Sequence, residues 1–388
     1  MKGTNTILAI ILLITAGCGD NKQSEDAFLT VDVTNTPSNK KELILQDFMD
    51  VEYIPLETND EFINQGFVQA IGKEFILVRN RNSDGDIFVY NRTGKALRKI
   101  NRKGQGAEEY TNILGITLDE SNKEMYVNDH YIRKIQVYDL DGNFKRTLRH
   151  KEGNGSLFYT DIFNYDNDHL ICYDKYNKEI PFVLISKQDG SITQDIKIPY
   201  KEKKQATITK QTGENSTLSI SPGPYRTIIP FKGNWMLLEL SSDTIYSLLP
   251  DYSLRPFMVR SPSIQSMNPE VFMFLRLPCD RYYFMETAKN VWDFDNNTGF
   301  PREYFMYDRQ EKAFFTYTVY NGDYSIKKEV YMNQLRPVDH DVDSWELLEA
   351  YQLVTAYEKG WLQGKLKEIA ATLNEESNSV IMLVKHKK

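Results

Sequence analysis

Nine ionisable side chains fall beside or between short apolar runs and could do chemistry together: Arg79, Arg81, Arg102, Lys103, Asp129, His130, Arg133, Asp174 and Lys175. Gathered around a concave mouth, such mixed charges would orient a polar ligand through a few fixed hydrogen bonds. Taken singly, each reads as a solvated turn residue. Asp129 and Asp174 could also serve as a pair of acids acting on a polysaccharide. Asp293, Asp295 and Asn297 stand at alternate positions before Gly299, so three oxygens could converge on calcium. A full calcium loop wants glycine at its sixth position and glutamate at its twelfth; Thr298 and Tyr304 stand there instead, which favours an Asx-rich turn. No other cofactor is indicated. His130, His150, His169, His340 and His386 show no helical metal-ligand spacing. The chain has no Gly-x-Ser-x-Gly elbow, phosphate loop or dinucleotide fingerprint. Carboxylates could still meet from distant positions, so this lowers the expectation of an enzyme without removing it.

Cys18 carries a different chemistry. Lys2 and the apolar run Ile7–Ile14 precede it, with Ala16 and Gly17 leading in and Gly19-Asp20-Asn21-Lys22 following. The run is about half the ~20 residues that span a bilayer, but it suits a secretory signal. The pattern looks like a bacterial lipoprotein signal over 1–17, with Cys18 lipidated and 18–40 as a polar tether. Acyl chains on that thiol would hold the protein to a membrane. Gly19 and Asp20 favour the outer membrane.

The 388 residues are 41% hydrophobic and 12% aromatic, enough to bury a large core and too apolar for disorder. A net charge of −7 lacks the basic surplus of a nucleic-acid binder. Cys172 and Cys279 read as isolated buried thiols rather than a disulfide.

Positioning these residues requires short strands separated by Asp, Asn and Gly turns. Ile87–Tyr90, Ile135–Tyr138 and Phe182–Ile185 each lead into a glycine turn and a second strand, with turn glycines at 94, 142 and 190, a spacing of 48 residues. Weaker copies turn near 252 and 311. Four strands per repeat of about 40–50 residues predict β-propeller blades, which must stack in a ring to bury both sheet faces. Five turns plus the remaining length predict six blades over 41–388, the sixth closed by Val380–Val384 pairing beside N-terminal strands. The stretch Lys201–Thr217 reads as a surface insertion. About 344–373 reads as helix, capped by Ser344 and split or kinked at Gly360 and Gly364. Trp345 and Trp361 would pack that helix on the propeller. Trp235 and Trp292 suit either sugar stacking or packing between sheets.

Three local motifs add a resemblance. Val51–Thr58 looks like the opening strand of the six-bladed β-propeller lipoproteins of Bacteroidetes, which are similar in style to NHL- and TolB-like propellers. Gly104-Gln105-Gly106-Ala107-Glu108-Glu109-Tyr110 resembles their Gly-Gln-Gly-Pro-Gly-Glu-Tyr loop, with Ala107 and Glu108 in place of Pro and Gly. Asn378–Met382 is similar to their closing strand. The resemblance implies an all-β fold and an envelope location, with no catalytic residues to carry over. The chain is therefore expected to be a lipid-anchored propeller that binds a glycan, peptide or envelope protein and no nucleic acid. A propeller-fold polysaccharide hydrolase or lyase is the alternative.

Overall fold

The structure, a computed structural model, describes residues 28–80, 84–129, 132–149, 159–214, 216–338 and 344–387. Cys18, the signal around it, Arg81 and His130 lie outside them.

Six four-stranded antiparallel blades form a propeller ring. Blades 1, 2 and 3 are meanders over 67–101, 115–149 and 159–196, while blades 4 and 5 cover 228–261 and 271–320. Blade 6 is composite. Arg336–Pro337, Ser344–Leu348 and Val380–His386 pair in turn, and Met49–Pro55 from the other end of the chain adds the outermost strand. Both the blade number and the closure agree with the sequence reading.

The core lies between blades, in six apolar clusters with one at each blade interface. Side chains along a strand alternate between sheet faces. Thus Ile381 and Leu383 face blade 1, while Val380, Met382 and Val384 face blade 5.

The repeated turn glycine has two causes. Gly94, Gly142 and Gly190 have φ between 81° and 85°, where a Cβ is strained. A Cβ on Gly94 would also lie 2.1 Å from the Pro55 carbonyl oxygen, and one on Gly142 would lie 2.8 Å from Ile100. Each turn thus presses against the outermost strand of the preceding blade. Arginines one repeat apart clasp the same junction: Arg98 donates to the Leu140 carbonyl at 2.8 Å and Arg146 to the Lys187 carbonyl at 2.7 Å. The Gly104–Tyr110 loop, with Ala107 and Glu108 in it, is held at both its ends. Tyr110 is fully buried with its hydroxyl 2.6 Å from the Gly85 carbonyl, and Gln136 of blade 2 donates to the Ala107 and Glu109 carbonyls.

Two expectations are corrected. The segment 18–40 is not tether throughout: Leu29–Asp32 adds a parallel strand outside blade 4, with Val31 buried, and Lys40–Ile44 does the same on blade 5. Leu29 and Val31 on the first strand and Leu43 on the second give these edges something to bury, and the added strands cover exposed sheet edges. The region 344–373 is not all helix. Ser344 opens a strand rather than capping a helix, because Ser344–Leu348 is held in register against Val380–Val384. The helices are Ala350–Glu358 and Gly364–Ala370, separated at Gly360 and Gly364, both with positive φ. The insertion after blade 3 carries an exposed hairpin, Ile208–Gly213 with Ser216–Ile220. Cys172 and Cys279 are free and buried in blades 3 and 5. Among the described residues no helix is long and apolar enough to cross a membrane.

Candidate functional site: the central channel

The first strands of blades 1, 2 and 3 line a central channel of about 610 Å³. Phe67–Ile71, Gly115–Asp119 and Tyr159–Asn164 supply much of its wall, with Arg226 entering ahead of blade 4 and Arg336, Val338 and Trp345 from blade 6. Gly115 leaves this wall open, since a Cβ there would meet nothing within 4 Å. At the turns between first and second strands, Glu120 is already engaged: its carboxylate accepts the backbone N–H groups of Lys73, Glu74 and Phe75 at 2.7–2.9 Å. Gly72 permits this approach, because a Cβ there would overlap the carboxylate.

Three guanidinium groups share the channel: Arg79, Arg226 and Arg336. Arg79 lies over the Phe67 ring at 5.7 Å and donates to the Asn80 carbonyl at 2.9 Å. Arg336 lies over the Trp345 ring at 5.3 Å. Arg226 pairs with Asp161 at 3.3 Å, whose second oxygen accepts from Thr227 at 2.6 Å. Burial lowers the pKa of Arg336, and the charges of Arg226 and Arg79 lower it further. Burial likewise lowers that of Arg79, with Asp84 opposing. Aromatic surface completes the lining: Tyr165 stacks on Trp235, ring centroids 6.1 Å apart.

Of the nine ionisable residues singled out in the sequence, Arg79 alone among those described lines this channel. Arg102 is turned to the blade 1–2 junction, where Nε donates to the Gly142 carbonyl at 2.9 Å. Lys103 bridges to Tyr110 within the same loop. Asp129 is buried and holds that loop, accepting from the backbone and hydroxyl of Thr111 and from the Asn112 N–H. Asp174 accepts the N–H groups of Tyr176 and Asn177. Neither acid lines the channel, so the two are not brought together at its mouth. Arg133 sits in a turn with φ 53° and is exposed. Lys175 lies near Lys203; burial and that neighbouring charge both lower its pKa. Asp293 spends its carboxylate on the N–H groups of Asp295 and Asn296, an Asx turn. Among the described residues no three His, Cys, Asp or Glu side chains cluster as a metal site.

Arg226 and Arg336 went unread in the sequence because neither sits in a repeat-matched loop. Trp345 was read as helix packing; on a strand it faces the channel instead. Its neighbour Glu346 is half-buried, and burial raises its carboxyl to about 7 against the partial relief of Lys328. Between the ordinary 4.5 and 7 the folded chain holds a proton that the unfolded chain releases, so stability falls as pH rises through that window. Glu346→Gln should therefore match the parent near pH 4.5 and be more stable above pH 7, by up to about 3 kcal/mol. Urea midpoints at pH 5 and pH 8 check this; equal differences at both would contradict it.

Residues 28–385 match the family described as a domain of unknown function, DUF4934. The chain belongs to that family. No curated protein matches it in sequence. Among solved structures, a Bacteroides fragilis protein assigned as exported is similar at TM-score 0.56 and 16% identity, over 93% of this chain and 99% of that one. A DUF4221 family member from Bacteroides vulgatus is similar at TM-score 0.46 and 10% identity, over 88% and 98%. Virginiamycin B lyase from Staphylococcus aureus gives TM-score 0.37 and 11% identity, over 87% and 100%. The first of these likenesses bears on fold alone, and the other two carry no argument.

Proposed function

We propose that this DUF4934 chain is a non-catalytic binding lipoprotein of the cell envelope, anchored through Cys18, whose propeller takes a ligand into its central channel. The observation that carries this reading is the channel itself: a concave space within the usual 300–1,000 Å³ of ligand sites, lined by convergent cations and aromatic rings. A concave channel suits an extended glycan or peptide better than the flat surface of a folded partner. The sequence around Cys18 and the resemblance to Bacteroidetes propeller lipoproteins support the envelope location.

The test is a thermal-shift screen of the full chain in nonionic detergent against oligosaccharide and peptide libraries, run in parallel on Gly115→Phe. A ligand at about 100 times its dissociation constant adds roughly 2.7 kcal/mol. Gly115→Phe fills open space, so it should fold normally and lose the shift. A ligand that stabilises both proteins equally binds elsewhere, and the channel reading fails. Cleavage of that ligand on incubation would overturn the non-catalytic reading.

A further inference from the structure

Among the described residues two aromatic side chains sit on a backbone with positive φ, Phe300 at 49° and Tyr252 at 65°, a conformation that strains any bulky residue. Burial offsets the strain at Phe300, whose ring is enclosed and lies 5.5 Å from that of Trp292. Tyr252 is instead 39% exposed and stands outside all six apolar clusters. Its place in blade 4 is that of the turn glycines in blades 1 and 2. The Gly94 and Gly142 N–H groups donate to the carbonyls of Asn91 and Asp139, three residues back, and the Tyr252 N–H donates likewise to the Leu249 carbonyl. Blade 4 thus carries a strained, exposed ring where glycine would close the turn without strain. That ring continues a row that begins in the channel. Trp235 and Tyr165 both line the channel with their rings stacked, and the Tyr252 ring lies 6.2 Å beyond that of Tyr165 at an angle of 34°. Trp235 is buried, Tyr165 half-buried and Tyr252 exposed, so the row runs from the channel wall out to the face that carries these turns. Neither the Tyr165 nor the Tyr252 hydroxyl has a hydrogen-bond partner among the described residues.

We propose that Trp235, Tyr165 and Tyr252 form a stacking track on which a glycan chain enters the channel, with Tyr252 as its outermost subsite. The proposal rests on the channel-binding reading above and names the class of ligand. A pyranose carries C–H groups on its faces and hydroxyls around its rim, so one sugar lies on a tyrosine face while its rim meets a phenol hydroxyl. An extended peptide would call for main-chain partners instead. The main chain here is already paired within its own turns: the Leu249 N–H donates to the Ser253 carbonyl and the Tyr165 N–H to the His169 carbonyl.

The experiment is calorimetric titration of the full chain in nonionic detergent with cellohexaose, maltohexaose and xylohexaose, and with decaproline as a peptide probe. At least one hexasaccharide should bind. Tyr252→Gly should weaken it about tenfold, as loss of one aromatic contact allows. The same variant should leave the melting temperature unchanged or higher, because glycine adopts this backbone without strain. Tyr252→Asn, which also tolerates positive φ, should repeat both results. Tyr252→Phe keeps the ring and should retain most of the affinity. No binding of any hexasaccharide, or an affinity that Tyr252→Gly leaves intact, would overturn the proposal. A melting temperature that falls in both the Gly and the Asn variant would make Tyr252 a packing residue and overturn it as well. Decaproline bound in place of the sugars, and weakened by Tyr252→Gly, would assign the track to a peptide and overturn the glycan. The failures separate: a hexasaccharide lost in Gly115→Phe but untouched by Tyr252→Gly leaves the channel reading standing and removes the track, whereas binding that Gly115→Phe does not weaken removes both.

Discussion

Ending the chain at Ser379 should abolish cooperative folding. The lost strand, Val380–His386, is third in blade 6, not an edge: it pairs with Ser344–Leu348 on one side and Met49–Pro55 on the other. Val380, Ile381, Met382, Leu383 and Val384 are all fully buried, between two different blade interfaces. At roughly 1.5–3 kcal/mol for each buried apolar side chain, their removal forfeits about 8–15 kcal/mol. That equals the whole stability of a typical domain, about 5–15 kcal/mol. The loss also opens the ring, leaving Met49–Pro55 unpaired and two strand edges bare. Loss of the near-ultraviolet circular dichroism signal and of a sigmoidal urea transition would be the expected result. A truncated chain that still melts cooperatively would show that closure is dispensable.

Lys187→Met should cost about 3–5 kcal/mol, the second largest effect expected, because it strands a buried charge. Lys187 comes from the outer turn of blade 3 and Asp119 from the first strand of blade 2; their side chains are 3% and 1% exposed and form an ion pair. Lys187 also donates to the Asp166 carbonyl, while its own carbonyl accepts from Arg146. Asp119 is held further by the backbone and side-chain N–H groups of Asn122. Removing the ammonium therefore leaves a desolvated carboxylate at a blade junction. Adding Asp119→Asn should recover much of the loss, since the amide keeps an acceptor toward Asn122 without the charge. Urea midpoints of the two single variants and the double variant make the cycle. A Lys187→Met cost under about 1 kcal/mol would mean that the junction relaxes to admit water.

These two effects mark where the sequence was legible. The strand alternation in Val380–Val384 and the 48-residue turn spacing are local patterns, and local patterns dictate strands, turns and blade number. The αL glycines at 94, 142 and 190 could be read as turns from their neighbours alone. That each also packs on the preceding blade could not, because the contact joins residues far apart in sequence. Ser344 shows the same limit from the other side. Its helix-capping chemistry was plausible locally, but pairing with Val384 overrode it.

The candidate site was less legible than the fold. Of the residues that loop phasing put forward, Arg79 lines the channel, whereas Arg102, Asp129 and Asp174 had equal claims on sequence and are spent on the junctions and loops of their own blades. Arg226 and Arg336 carry no motif at all. By itself the sequence determined an aromatic-rich all-β chain of repeating hairpins that must close into a ring. Only the tertiary structure decided which cations and aromatic rings share the channel. Strand patterns arise from neighbours in the chain, whereas the charge balance of a channel is set by residues from different blades that meet only once the ring has closed.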